Sequence, residues 1–138
     1  MNSSSSRRRS VRTCRGLLLV ALLLACGCDD DPLAPFQPEV MNNPDTFQLQ
    51  ATGVRNANAT LTYTWQNTGT TANVNQATVV TGGSANLVLK DAAGAQVYAR
   101  SLAENGTFPT AAGQAGAWTI QLTLSGYSGT LNFRAQKP

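Results

Sequence analysis

From residue 46 onward, large apolar side chains recur at every second position with Thr, Gln and Asn between them. Phe47, Leu49 and Ala51 alternate with Gln48 and Gln50, and Leu61, Tyr63 and Trp65 alternate with Thr60, Thr62 and Thr64. A period of two places successive apolar residues on one face of an extended chain, which predicts strands with one buried side. The same reading predicts further strands over residues 77–81, 85–90, 96–102, 117–124 and 130–135. Leu87 and Leu89 share a face in one of these, Trp118, Ile120, Leu122 and Leu124 in another, and Leu131 and Phe133 in the last. Apolar residues at helical spacing are absent from this region, so no interior helix is expected.

The turn residues agree. Asp91-Ala92-Ala93-Gly94 lies between two strand patterns, and a glycine able to take positive φ after a type I turn closes a hairpin with a bulge. Gly82-Gly83, Gly126 and Gly129 are expected to mark other reversals. Short strands at turn spacings of roughly 8 to 12 residues predict an all-β fold, a small antiparallel two-sheet sandwich or jelly roll of about seven to eight strands. Two segments are weak copies of each other: Gln48-Leu49 through Gly53 to Leu61-Thr62-Tyr63, and Gln121-Leu122 through Gly126 to Leu131-Asn132-Phe133. Each reads as an amphipathic hairpin. Either this is the generic look of such hairpins, or they are the first and last hairpins that close the sandwich.

The N-terminal pattern is different. An apolar run over residues 16–25 is about half the roughly 20 residues of a membrane-spanning helix. Arg7, Arg8, Arg9, Arg12 and Arg15 precede it without any acidic residue, and small residues followed by Asp29, Asp30 and Asp31 come after it. That order is the pattern of a secretory signal peptide, assigned to residues 1–25.

The end of the apolar run, Leu23-Leu24-Ala25-Cys26, resembles the lipobox of bacterial lipoproteins. The resemblance implies that Cys26 becomes the first residue of the mature chain and carries the lipid on its thiol, with Cys28 as the alternative acylation site. It also implies export and anchoring at the cell envelope, in the outer membrane or on the outer face of the cytoplasmic membrane, with membrane lipid as a partner through Cys26. An ordinary secretory signal with two incidental cysteines is the other reading of this segment.

Residues 26–44 read as the lipidated cysteine followed by an Asp- and Pro-rich tether, because Pro32, Pro35, Pro38 and Pro44 favour extended chain over a packed element. Alternatively, Phe36 and Val40 dock on the domain as a short edge strand. The β-sandwich domain is assigned to residues 45–138. Charge is redistributed once the leader is removed: five of the ten basic residues go and all seven acidic residues stay. The slightly acidic remainder lacks the clustered Lys and Arg that a phosphate backbone requires, so nucleic acid is not an expected partner.

Cysteine and histidine usage narrows the chemistry. Cys14, Cys26 and Cys28 all precede the domain, which therefore has no internal disulfide, and the chain has no histidine. Cys/His zinc sites, Ser-His-Asp triads and Cys-His dyads are chemically unavailable within one such chain. Asp91 reads as a turn residue and Glu104 as a loop carboxylate. Neither has a neighbour that would make the pair of acids a glycosidase needs. No catalytic residue, metal ligand or cofactor is assigned, and the chain is not expected to be an enzyme.

The runs Leu87-Val88-Leu89-Lys90-Asp91-Ala92-Ala93-Gly94, Gly116-Ala117-Trp118-Thr119-Ile120 and Gly129-Thr130-Leu131-Asn132-Phe133 resemble the pattern of bacterial pre-peptidase C-terminal domains and similar secreted jelly-roll modules. That resemblance spans about residues 85–135 and implies a non-catalytic accessory module. Ser84-Ala85-Asn86 stands where that family often carries an acidic cluster, so no calcium site is carried over. Tyr63, Trp65, Tyr98, Trp118 and Tyr127 are the aromatic candidates for a sugar-stacking platform. Alternation places Trp65 and Trp118 in the core, which leaves Tyr98 and Tyr127 as the possible ligand contacts. The expected function is a non-catalytic binding or structural module at the cell envelope, partnered by an envelope protein or a glycan, with a carbohydrate-recognising accessory domain as the alternative.

Overall fold

The computed structural model describes residues 31–138. A single turn of 3-10 helix, Ala34–Phe36, precedes seven strands: β1 (Glu39–Asn43), β2 (Thr46–Asn67), β3 (Asn73–Gln76), β4 (Val79–Lys90), β5 (Gln96–Ser101), β6 (Gly106–Pro109) and β7 (Gly116–Gln136). All pairings are antiparallel.

Two of the strands are far longer than the alternating runs suggest. β2 and β7 pair with each other along almost their whole length, from Thr46 opposite Gln136 to Asn67 opposite Gly116. The two segments expected to be hairpins are therefore single bent strands, and the weak internal copies are the two halves of this one ribbon. Its register slips three times between Ala51 and Ala59, where Gly53, Asn56 and Gly126 adopt positive φ. These residues, like Gly82-Gly83 and Gly129, mark bulges and bends within continuous strands rather than chain reversals. A bulge adds an unpaired residue and sharpens the local twist, so the ribbon turns while its ladder continues on both sides.

The bend makes the two layers. Straight, a 22-residue strand would extend about 70 Å at roughly 3.3 Å per residue. Instead, the Asp45 N–H just before β2 donates to the Gln66 carbonyl near its end at 2.8 Å. The first half of β2 joins β1, the last residues of β7, β3 and β6 in one sheet, here sheet I. Its second half joins the first part of β7, β4 and β5 in sheet II. Strands that cross between layers at bulges are a standard way to form the corner of a sandwich.

The inward faces fit together as the alternation requires. Phe47, Leu49, Leu131 and Phe133 of sheet I and Trp65, Leu87, Leu89, Trp118, Ile120 and Leu122 of sheet II are fully buried. Phe47 meets Tyr63 across the layers, with ring centroids 5.2 Å apart. β3 and β4 form almost one strand broken at Ala77-Thr78. There the buried Thr78 hydroxyl donates to the Asn132 carbonyl and accepts from the Asn132 N–H, satisfying backbone groups where β7 changes partner.

The domain begins earlier than residue 45. Leu33 is fully buried in the core cluster, and Phe36 packs against that cluster. β1 pairs with β2 from Glu39 opposite Gln50 to Asn43 opposite Thr46. From Leu33 onward the segment expected as a tether over residues 26–44 is instead packed on the domain, because Leu33 has a core socket to fill and the edge of β2 has free backbone groups to pair. Cys26 and Cys28 lie outside the described residues.

Candidate binding face

Each aromatic residue considered for sugar stacking is accounted for. Trp65 and Trp118 are fully buried and meet edge to face. Their indole N–H groups donate to backbone carbonyls, Trp65 to Asn43 at 3.1 Å and Trp118 to Gln114 at 2.8 Å. Tyr98 and Tyr127, expected as possible ligand contacts, are also buried, with 6% and 0% exposure. The Tyr98 hydroxyl donates to Gln76 Oε1 at 2.7 Å, bridging sheet II to sheet I, and that of Tyr127 donates to the Val79 carbonyl at 2.8 Å. Burial pushes both phenols up to about 12. Neither ring is available to a ligand. Tyr127 is inside because the glycine-rich segment around it is the corner of the ribbon, which folds its side chain inward, and not an exposed turn. Tyr63 is half-buried against Phe47.

The carboxylates are occupied too. Asp91 Oδ1 accepts the backbone N–H of Ala93 and of Ala95, and Oδ2 accepts that of Gln114. These bonds hold its carboxyl below the usual aspartate value of 3.8, the Gln114 N–H contributing most. Asp91 therefore clamps the 110–116 loop onto its own turn, and this gives the Asp of the L-x-L-x-D-x-x-G run a structural role. Glu104 is paired with Arg100, whose guanidinium also lies 3.9 Å from the centre of the Phe108 ring. Among the described residues, no three His, Cys, Asp or Glu side chains converge.

What the strands do present is two outward sheet faces. On sheet II, Thr60, Thr62 and Thr64 of β2 lie opposite Thr123, Gln121 and Thr119 of β7, an uncharged array of hydroxyls with one amide. The outer face of sheet I is more varied. Residue pairing aligns Met41 of β1, Gln48 of β2, Arg134 of β7, Asn75 of β3 and Thr107 of β6 in one row across all five strands. Four inter-strand steps make that row about 19 Å long at roughly 4.8 Å each.

The row is ordered by its own hydrogen bonds. Arg134 donates from Nε and Nη2 to Gln48 Oε1 at 3.2 and 2.9 Å, and Asn75 Nδ2 donates to Thr107 Oγ1 at 2.8 Å. On either side of the Gln48–Arg134 bridge lies a shallow depression. One, of about 430 Å³, is lined by Glu39, Val40, Met41 and Gln48, and the other, of about 300 Å³, by Asn73, Asn75, Thr107, Arg134 and Gln136. Amide and hydroxyl groups that both donate and accept, arranged along an open strip, suit an extended ligand rich in hydroxyls.

Sequence reasoning did not find this face. Its residues are mostly polar and come from five separate strands, two of them too short to show alternation. The signal that was available is the run of polar partners between core residues: Gln48 and Gln50 around Leu49, and Arg134 and Gln136 around Ala135. No protein-family model matches this chain, and no curated protein matches it.

Proposed function

We propose that the protein is a lipid-anchored bacterial lipoprotein whose β-sandwich serves as a non-catalytic binding module at the cell envelope, with the outer face of sheet I as its binding surface. The observation that carries the binding role is the ordered five-strand row with a depression on each side of Gln48 and Arg134. The anchor rests on the short apolar run ending in Leu23-Leu24-Ala25-Cys26. Buried Leu33 comes only seven positions after Cys26, a reach of about 20 Å at roughly 3.1 Å per residue. An acylated Cys26 would keep this module close to the membrane surface.

The test of the anchor is metabolic labelling of the full chain with an alkynyl fatty acid in a bacterial host. Labelling is expected in the wild type and lost in Cys26→Ser. Equal labelling in that variant moves the acylation to Cys28, and labelling in neither chain refutes the lipoprotein assignment. A carbohydrate ligand, the second reading of the module, is favoured by the side chains of the face: several amides and a hydroxyl, and a single exposed apolar residue, Met41, in its central row.

A further inference from the structure

The geometry points to Arg134 as the carboxylate-reading residue of a site for a linear acidic polysaccharide, one built of uronic-acid units, laid across the strands of sheet I. This rests on the reading of that face as the binding surface and names its ligand class.

A guanidinium has five N–H donors in a planar fork. Gln48 Oε1 engages Nε and Nη2 of Arg134. Two bonds to one amide oxygen fix the plane of the guanidinium and leave both Nη1 hydrogens and one on Nη2. One Nη1 hydrogen and the free Nη2 hydrogen are parallel, the arrangement that matches the two oxygens of a carboxylate. Arg134 itself lines the 300 Å³ depression with Asn73, Asn75, Thr107 and Gln136. A carboxylate seated on the fork would have amide and hydroxyl groups beside it for the neighbouring sugar hydroxyls.

Of the described basic residues, Arg55, Lys90 and Arg134 make no salt bridge, and among these three only Arg134 lines a depression of this face. Arg100 is spent on Glu104, and Lys137 lies 3.8 Å from Asp45. Arg134, by contrast, has a neutral amide as its hydrogen-bonding partner and no carboxylate within salt-bridge distance among the described residues. An exposed guanidinium that is already oriented but not neutralised favours an anionic group from outside. The row is open at both ends and about 19 Å long, which suits a chain of several sugar units over a single small anion. An extended peptide would instead look for an unpaired strand edge and pockets for apolar anchors, whereas Arg134 lies on β7, inside the sheet, in a depression lined by polar side chains.

Affinity electrophoresis of the full chain in non-ionic detergent separates the possibilities. Native gels are cast with polygalacturonate, with poly-glutamate (carboxylates without sugar hydroxyls) or with neutral dextran (hydroxyls without carboxylates). Retardation is expected in polygalacturonate alone. Arg134→Gln, on an exposed position and with its melting temperature checked against wild type, should weaken that retardation about tenfold or more, the usual effect of losing a charge-assisted pair. Asn75→Ala should weaken it less, and Lys137→Gln should leave it unchanged. Equal retardation by poly-glutamate, or equal weakening by Lys137→Gln, would overturn the proposal in favour of unspecific charge attraction. Retardation in dextran that Arg134→Gln does not affect and Asn75→Ala abolishes would overturn the acidic ligand while leaving a glycan-binding face. No retardation in any gel would refute the ligand class and leave the lipid anchor, tested separately, untouched.

Discussion

Trp65 and Trp118 are direct register partners in the β2–β7 ribbon, and their indoles meet edge to face with ring centroids 5.9 Å apart and planes at 85°. Both are fully buried, so the contact joins the two long strands where sheet II closes. Removing a buried aromatic side chain typically costs about 3 to 5 kcal/mol, a large share of the roughly 5 to 15 kcal/mol that stabilises a domain. Trp118→Ala is expected to unfold the domain or leave it marginal. Tryptophan emission of the wild type should be blue-shifted and poorly quenched by acrylamide. Free quenching together with an unchanged urea midpoint in Trp118→Ala would refute the placement.

The tyrosines give a second, independent test. Tyr127→Phe deletes the bond to the Val79 carbonyl and should cost about 0.5 to 1.5 kcal/mol, while Tyr127→Ala should cost about as much as a tryptophan deletion. With the Tyr98 and Tyr127 phenols pushed up to about 12 by burial, the folded state favours their neutral form. Their contribution is complete below the ordinary phenol value of 10 and is lost as pH rises through about 12. Ultraviolet titration of the folded protein should therefore show these two phenols still un-ionised at pH 11, and alkaline unfolding should set in above pH 10. Normal ionisation near pH 10 without unfolding would contradict the buried assignment.

Much of the fold was legible because period-two alternation survives wherever a strand buries one face. Phe47 to Ala51, Leu61 to Trp65 and Trp118 to Leu124 all lie in strands, and the tryptophans are in the core as the pattern implies. Strand continuity was not legible. A glycine with positive φ looks the same in sequence at a reversal, as at Gly94, and at a bulge, as at Gly126; the pairing partner decides which it is. β3 and β6 were missed because four residues such as Asn73–Gln76 carry a single buried apolar side chain, Val74. β1 was legible only as an alternative to the tether, since all five of its residues are exposed. The candidate face needs Gln48 and Arg134 to be register partners 86 positions apart, and that information resides in the pairing of the ribbon.

Glycine replacements can tell a bulge from a free turn. At Gly129, φ is +142° and an added Cβ would lie 1.9 Å from the Val79 carbonyl oxygen; at Gly83, φ is +66° and it would lie 2.2 Å from that of Gly126. Backbone occupies both positions, so Gly129→Ala and Gly83→Ala should each disrupt the β4–β7 pairing and lower the melting temperature severely. Gly94 has φ +83° but no heavy atom within 4 Å of the added Cβ. Its replacement by Ala meets only the left-handed backbone penalty of roughly 1 to 2 kcal/mol. Equal effects at Gly94 and Gly129 would argue against close approach of β4 to the ribbon.

Asp91 is expected to contribute to the acid response of the domain. Its carboxylate accepts three backbone N–H groups, and the Gln114 bond joins the β4–β5 turn to the loop that leads into β7. These bonds hold its folded pKa below the ordinary 3.8, so the unfolded chain takes up a proton at higher pH than the folded one does. The stabilisation is then complete above about pH 4 and is lost as pH falls through the lowered folded value. Asp45 has the same sign, its carboxylate held down first by the Thr68 N–H and then by the Thr68 hydroxyl. Stability should fall in the wild type as pH drops below about 4. In Asp91→Asn the amide oxygen can replace one carboxylate oxygen as acceptor, but its NH2 faces N–H groups where the other stood. That variant should be less stable at pH 7 and show a flatter loss between pH 4 and pH 2, measured by urea midpoints across the range. A variant that keeps the wild-type slope would show that other carboxylates set the acid response and that the Asp91 clamp contributes little to it.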